Sequence, residues 1–138
     1  MKAKDIMVKE VATLDVEDEL SLANDIMRLG RIRHLPVVEG EKVVGIISER
    51  DLFRSSLAQA LGYGNKDTRE VMKTLRIKDI MVKQVISISP DTDLKDAVAL
   101  MVERKIGCLP VVQDHKLVGL ITETDILVQY CQELGGLP

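Results

Sequence analysis

The chain reads as an α/β (α+β) protein built from two β-α-β-β-α repeats, and three features of its 138 residues say so. The first is an internal repeat. Lys4-Asp5-Ile6-Met7-Val8-Lys9 recurs as Lys78-Asp79-Ile80-Met81-Val82-Lys83, an offset of 74. Without a gap, the same offset pairs Leu35-Pro36-Val37-Val38 with Leu109-Pro110-Val111-Val112, and about 21 of the 50 positions from 4 to 53 are identical in the second copy. The second feature is an alternation of short β-branched runs with stretches of helical periodicity. The third is a pair of continuous apolar runs in each copy, the mark of strands buried on both faces. Two copies of about 60 residues suit a closed pseudo-twofold pair better than a solenoid.

Each copy justifies its elements in the same order. Val11 to Leu14 and Val85 to Ile88 read as short first strands. Asp15-Val16-Glu17-Asp18 and Pro90-Asp91-Thr92-Asp93 supply acidic and capping residues at a helix start. The helices follow with apolar residues near 3.6 spacing: Leu20, Ala23, Ile26, Met27, and Leu94, Ala97, Val98, Met101. Two strands then come with a hairpin-length turn between them, Leu35–Val38 with Val43–Ile47, and Leu109–Val112 with Leu117–Ile121. A closing helix starts near Asp51 and Asp125, prolonged in the first copy by Leu57, Ala58 and Leu61. A three-stranded sheet with two helices covers only one of its faces, so the repeats are expected to share a core. The division expected is 1–61 for the first repeat, 62–75 for a connector, 76–134 for the second repeat and 135–138 for a tail. The connector breaks at Gly62-Tyr63-Gly64 and carries a short helix capped by Asp67 or Thr68, through Val71, Met72 and Leu75.

Composition removes several functions. Phe53, Tyr63 and Tyr130 are the only aromatic residues, too few for the stacking platforms of single-strand binding. A net charge of −3 opposes a broad phosphate-backbone footprint, so no nucleic-acid partner is expected. No apolar run approaches a bilayer span and no signal-peptide core follows Met1, so neither membrane nor secretion is expected. Cys108 and Cys131 are too few for a disulfide framework, which points to the cytoplasm. With His34 and His115 they show no metal-ligand spacing. There is no nucleophile elbow and no Walker-type loop, so no enzyme is expected. His34 and Cys108 occupy equivalent positions, but a thiol–imidazole pair works only within hydrogen-bond reach. The recurring Met7, Met27, Met81 and Met101 suit core or interface packing.

The most pointed motif is Ser48-x-x-Asp51, repeated as Thr122-x-x-Asp125 at a strand-to-helix junction. One reading is a capping box, hydroxyl to backbone and acid in the first turn. The other is a carboxylate that takes the hydroxyls of a ribose beside a helix N-terminus. The two are compatible if the cap uses the hydroxyl and leaves the carboxylate free.

The repeated succession of strand, helix, Leu-Pro-Val-Val, Val-Gly-Ile-Ile-Ser-Glu-Arg-Asp and closing helix resembles the cystathionine β-synthase (CBS) domain, and a tandem pair of these is a Bateman module. Only the connector and the last residues fall outside the resemblance. It implies regulatory binding of an adenosine-containing ligand (AMP, ADP, ATP or S-adenosylmethionine) in clefts between the repeats, with the binding state passed to another protein. It also implies a homodimer formed through helices. Carried over by position, Asp51 and Asp125 would hold ribose, with Ser48 and Thr122 supporting them or reaching phosphate. Arg33 and His34, with Arg31 nearby, would line a phosphate or adenine pocket, as would Gly107 and Cys108. Pro36 and Pro110 follow in the same strands. Ala12-Thr13 and Ile86-Ser87 would offer backbone groups to the base.

The copies differ where phosphate would bind. Arg33, His34 and Arg50 face Gly107, Cys108 and Thr124 in the alignment, so two unequal sites are expected, with the phosphate-rich one in the first copy. The competing reading takes Arg28, Arg31 and Arg33 as a solvated helix end that complements the dipole. The competing function is a dimerisation or interaction module with vestigial clefts.

Overall fold

The structure, a computed structural model, describes residues 1–54 and 73–136. Two compact units form: Ala12–Val85, and Met1–Val11 together with Ile86–Pro138. Each therefore combines the body of one repeat with the opening segment, or arm, of the other.

In the first unit the short strand β1 (Leu14–Asp15) leads to helix α2 (Leu20–Gly30), which buries Leu20, Ala23 and Met27. The helix ends at Arg31 in the left-handed region (φ 54°), whose N–H closes on the Met27 carbonyl. A basic residue there complements the helix dipole. Strands β2 (His34–Glu39) and β3 (Lys42–Ser48) form the hairpin, and helix α3 follows over 49–54. The sheet order is β1-β2-β3, parallel then antiparallel. Helix α4 (Ile77–Ile80), from the second repeat's arm, closes the unit. The extension of the first closing helix through Leu57, Ala58 and Leu61, and the connector helix as far as Met72, lie outside the described residues; of the helix expected through Leu75, residues 73–74 are helical and Leu75 follows it, packed against the first core.

The second unit repeats this at the offset of 74. Arm helix α1 (Ala3–Ile6) joins helix α5 (Leu94–Arg104), strands β4 (Cys108–Gln113) and β5 (Lys116–Thr122), and helix α6 (Glu123–Glu133). Lys105 repeats the left-handed helix end of Arg31. The turn between β4 and β5 puts Asp114 and His115 in the left-handed region, and His115 is exposed there.

The first strands are shorter than their sequence suggests. In place of Val11–Leu14 the ladder holds Leu14–Asp15 against Val37–Val38, and in the second copy it shrinks to one bridge, Ile88 with Val111. Proline explains both. Extending a parallel ladder two residues back would require an N–H from Pro36 to reach the Ala12 carbonyl, or one from Pro110 to reach Ile86. Proline has none.

The repeats do share cores, by exchanging arms. Ile77 is fully buried among Leu14, Leu20, Leu35, Val37 and Ile47, with Ile80 and Met81 packed alongside. Ala3 does the same with Val111 and Ile121, flanked by Ile6 and Met7. Val82 pairs with Ile46, and Val8 with Leu120, through reciprocal backbone hydrogen bonds of 2.8–3.0 Å. What admits each arm is a glycine. A Cβ on Gly45 would lie 2.9 Å from Met81 Cγ, and one on Gly119 2.9 Å from Met7 Cγ. A Gly45→Ala or Gly119→Ala chain should therefore lose about 1–3 kcal/mol of stability through overpacking. In urea unfolding, adding Met81→Ala to Gly45→Ala should cost less than the sum of the two single losses, because the variants share one contact.

Candidate functional site

Strand register gathers the first set of candidate residues at one end of the first unit's sheet. His34 opens β2 and lies opposite Ser48, the last residue of β3. Continuing the Leu14–Val37 register places Ala12 and Thr13 alongside Leu35 and Pro36, and both are exposed. Helix α3 starts at the same end, bringing Arg50 and Asp51. The second unit gathers its own set identically: Cys108 lies opposite Thr122, Ile86 and Ser87 precede the Ile88 bridge, and Asp125 sits in the first turn of α6. Ser87 is exposed and Ile86 half-buried.

The aspartates are held in one orientation. Asp51 Oδ2 accepts from the Ser48 N–H at 2.9 Å and from its hydroxyl at 2.8 Å, while Ser48 Oγ accepts the Asp51 N–H at 3.1 Å. In the second unit Thr122 donates its N–H and hydroxyl to Asp125 Oδ2 at 2.8 and 3.1 Å. The capping box is thus real, but it divides the groups differently from the simple expectation that the cap spares the carboxylate. One carboxylate oxygen is committed to the cap. Neither Oδ1 has a partner among the described residues, and a carboxylate oxygen accepts at two lone pairs. At the same end of the sheet, across β2 or β4, lies a further acceptor, the Ala12 or Ile86 carbonyl that the proline leaves outside the ladder; neither accepts a backbone hydrogen bond among the described residues.

Pro36 and Pro110 are fully buried, and each ends its ladder. Cys108 is also buried, and burial, with a smaller push from the charge of Glu123, raises its thiol from 9.0 to about 12. Such a thiol stays protonated and is no nucleophile near neutral pH.

Arg33 and Arg50 have no cationic counterpart in the second unit, whereas Arg31 has one in Lys105. Arg33 and Arg50 are exposed, and Arg33 Nε approaches Glu49 Oε2 at a loose 4.0 Å. His34 is half-buried and engaged within the structure. Arg31 is exposed at the end of α2, and Arg28 pairs with Asp25 at 3.6 Å. At the equivalent places the second unit carries Gly107, Cys108 and Thr124. Glu49 escaped notice in the sequence, although it recurs as Glu123. Its N–H donates to the Arg33 carbonyl at 2.8 Å, and that of Glu123 to the Gly107 carbonyl at 3.1 Å, so each fixes the segment before the hairpin to the helix start.

A separate groove of about 460 Å³ runs between α5 and α6, lined by Met101, Val102, Ile106 and Leu127 with Lys105 and Glu123. It contains none of the residues expected to bind ligand. Among the described residues, no three His, Cys, Asp or Glu are placed to hold a metal ion, and no helix is long and apolar enough to cross a membrane.

Comparison with known proteins places this geometry. The CBS domain family matches residues 3–58 and again 77–130. Inosine-5'-monophosphate dehydrogenase of Methanocaldococcus jannaschii is 34% identical over 128 residues, which cover 91% of this chain and 23% of that enzyme. The chain spans less than half the length of several curated relatives it matches. Among solved structures, AcuB of Vibrio cholerae aligns with a TM-score of 0.82 at 32% identity, covering 97% of this chain and 93% of the other. The CBS domain pair of protein MJ0100, solved with 5'-methylthioadenosine and S-adenosyl-L-methionine, aligns with a TM-score of 0.78 at 29% identity, covering 96% and 98%. Both family segments fall on the hairpins and capping boxes that recur at one offset, and the chain belongs to the CBS domain family, carrying two such domains in tandem.

Proposed function

We propose that this CBS pair is a regulatory module that binds an adenosine-containing ligand, AMP, ADP, ATP or S-adenosylmethionine, and passes its binding state to a partner protein. One observation carries the reading: in each unit an aspartate oxygen held open by a capping box lies at the same sheet end as a backbone carbonyl freed by proline. The Oδ1 of Asp51 or Asp125 would accept both ribose hydroxyls. The Ala12 or Ile86 carbonyl would accept the exocyclic amine of adenine, with Thr13 and Ser87 beside it. Arg33 and Arg50, with His34 at the edge, give the first set the charge that phosphate needs. The second set has no cation at the matching places and suits a ligand with less phosphate. MJ0100, with its two adenosyl ligands, supports the ligand class. A ligand regulates only by favouring one arrangement of the protein over another.

No catalytic role is assigned. The match to the dehydrogenase covers 23% of that enzyme, and Cys108 is a protonated core thiol. Free Cys108 and Cys131 fit a cytoplasmic setting. A second reading, an interaction module that pairs into homodimers, draws on the groove between α5 and α6, where Val102 and Leu127 are 70% and 66% exposed.

Thermal unfolding with AMP, ADP, ATP and S-adenosylmethionine tests the proposal. A ligand at 100 times its Kd stabilises by about 2.7 kcal/mol, and Asp51→Ala with Asp125→Ala should abolish the shift. Arg33→Ala should weaken the phosphate-bearing ligands more than S-adenosylmethionine. No shift with any ligand would leave the interaction module as the better reading. For Cys108, a thiol reagent near neutral pH should modify one of the two cysteines in the native chain and both in denaturant. Because the folded state holds the Cys108 proton more tightly, stability should fall as pH rises from 9.0 toward about 12, and less so in Cys108→Ala.

A further inference from the structure

The arm that completes the second unit comes from the far side of the chain. Residues 1–11 sit in that unit, while the next residues, from Ala12, belong to the first. The docking is well made. Ala3 N–H donates to the Thr92 carbonyl at 2.8 Å, Lys4 N–H to Pro90 at 3.0 Å, and Leu94 N–H returns to Met1 at 2.9 Å. Lys2 pairs with Asp93 and Lys4 with Asp91, each at 3.1 Å. Ala3 is buried, and Met7 covers Gly119.

The same hexapeptide, residues 78–83, docks equivalently on the first unit. There Lys78 meets Glu17 at 2.7 Å and Arg76 meets Glu19 at 3.9 Å, the acids again standing 74 positions from Asp91 and Asp93. Docking is therefore encoded by the hexapeptide and the acidic, glycine-floored groove, not by the chain that connects them. Between arm and groove intervene residues 12–85, a unit with a core of its own, and residues 9–13 carry neither helix nor strand.

We propose that arm 1–11 is exchangeable, and that the groove of one copy accepts the arm of a second copy of this chain. The contacts are the same in both arrangements. What separates them is the effective concentration of the tethered arm against that of the other copy, so exchange grows with protein concentration. The role this gives the groove is an interaction surface whose partner is the segment Lys-x-Lys-Asp-Ile-Met-Val.

Two charge-reversed full-length chains test it. One carries Lys2→Glu and Lys4→Glu, the other Asp91→Lys and Asp93→Lys. Alone, each sets like charges against each other and should melt below the parent chain. Mixed in equal amounts, exchange sets the glutamate arm on the lysine groove and the native arm on the native groove. The mixture should then melt above both components, by a margin that grows with concentration. Association through any other face leaves the like charges opposed and gives no such rise. A mixture that melts as the simple sum of its components overturns the proposal. If those variants fail to fold, equal amounts of heavy-nitrogen-labelled and unlabelled parent chain are mixed and cross-linked with carbodiimide. Lys4–Asp91 peptides of mixed label would support exchange, and peptides of a single label only would overturn it.

Discussion

At Gly45 and Gly119 each hairpin presents bare backbone where a Cβ would stand, and a methionine from the other repeat's arm lies on that space. Neither glycine needs a left-handed backbone; each is there for close approach. Once Met81 is seated, Val82 can exchange hydrogen bonds with Ile46, and Ile77 can enter the core among Leu20, Leu35 and Ile47. Met7, Val8 and Ala3 do the same on the second hairpin. The body of a repeat on its own would lack this layer, and a three-stranded sheet with two helices has too little apolar surface to spare one. Mutual dependence between the repeats follows from that shortage.

The sheet end that would bind a ligand is shaped by the same economy of backbone groups. A proline in the second strand stops the parallel ladder, leaving a carbonyl at 12 or 86 with no strand partner, and the residues before β1 are left exposed. After the next strand, the capping box takes one oxygen of Asp51 or Asp125 and fixes the plane of the carboxylate. Fold and the proposed recognition would thus draw on separate atoms of one side chain, Oδ2 for the helix start and Oδ1 for a ligand. A chain with almost no aromatic residues would recognise a nucleoside in this way, through acceptors held in place rather than rings to stack on.

Much of this was legible in the sequence, because periodicity and punctuation are local. The hairpins Leu35–Ile47 and Leu109–Ile121 and the helices from Leu20 and Leu94 lie where their apolar patterns put them. The Ser-x-x-Asp and Thr-x-x-Asp spacing marks the helix starts at 49 and Glu123. The arms were legible as a repeat but not as an exchange. Two identical hexapeptides say that two equivalent docking places exist, and nothing in identical residues says which body receives which arm. The first strands were over-read for a related reason: β-branched residues at 11–14 satisfy strand propensity, while the missing donor lies in a different strand, at Pro36. Glu49 and Glu123 carry no role that the sequence signals, because their contribution is a backbone N–H, which leaves no mark on side-chain chemistry.

The inequality of the two units has a physical reading beyond charge counting. In the first, Glu49 stands 4.0 Å from Arg33, close enough to hold the guanidinium near the sheet end yet too exposed to compete strongly with a phosphate. In the second, the position of Arg33 is glycine and that of His34 is a buried cysteine. Glu123 stands there without a cation at the equivalent of Arg33, although Lys105 lines the same groove. The two halves differ at the residues proposed to meet the ligand's variable end, while Asp51 and Asp125, which would meet its constant ribose, share the same capping geometry. Two sites that agree on the nucleoside and differ on its charge would let one chain compare two forms of a single ligand class.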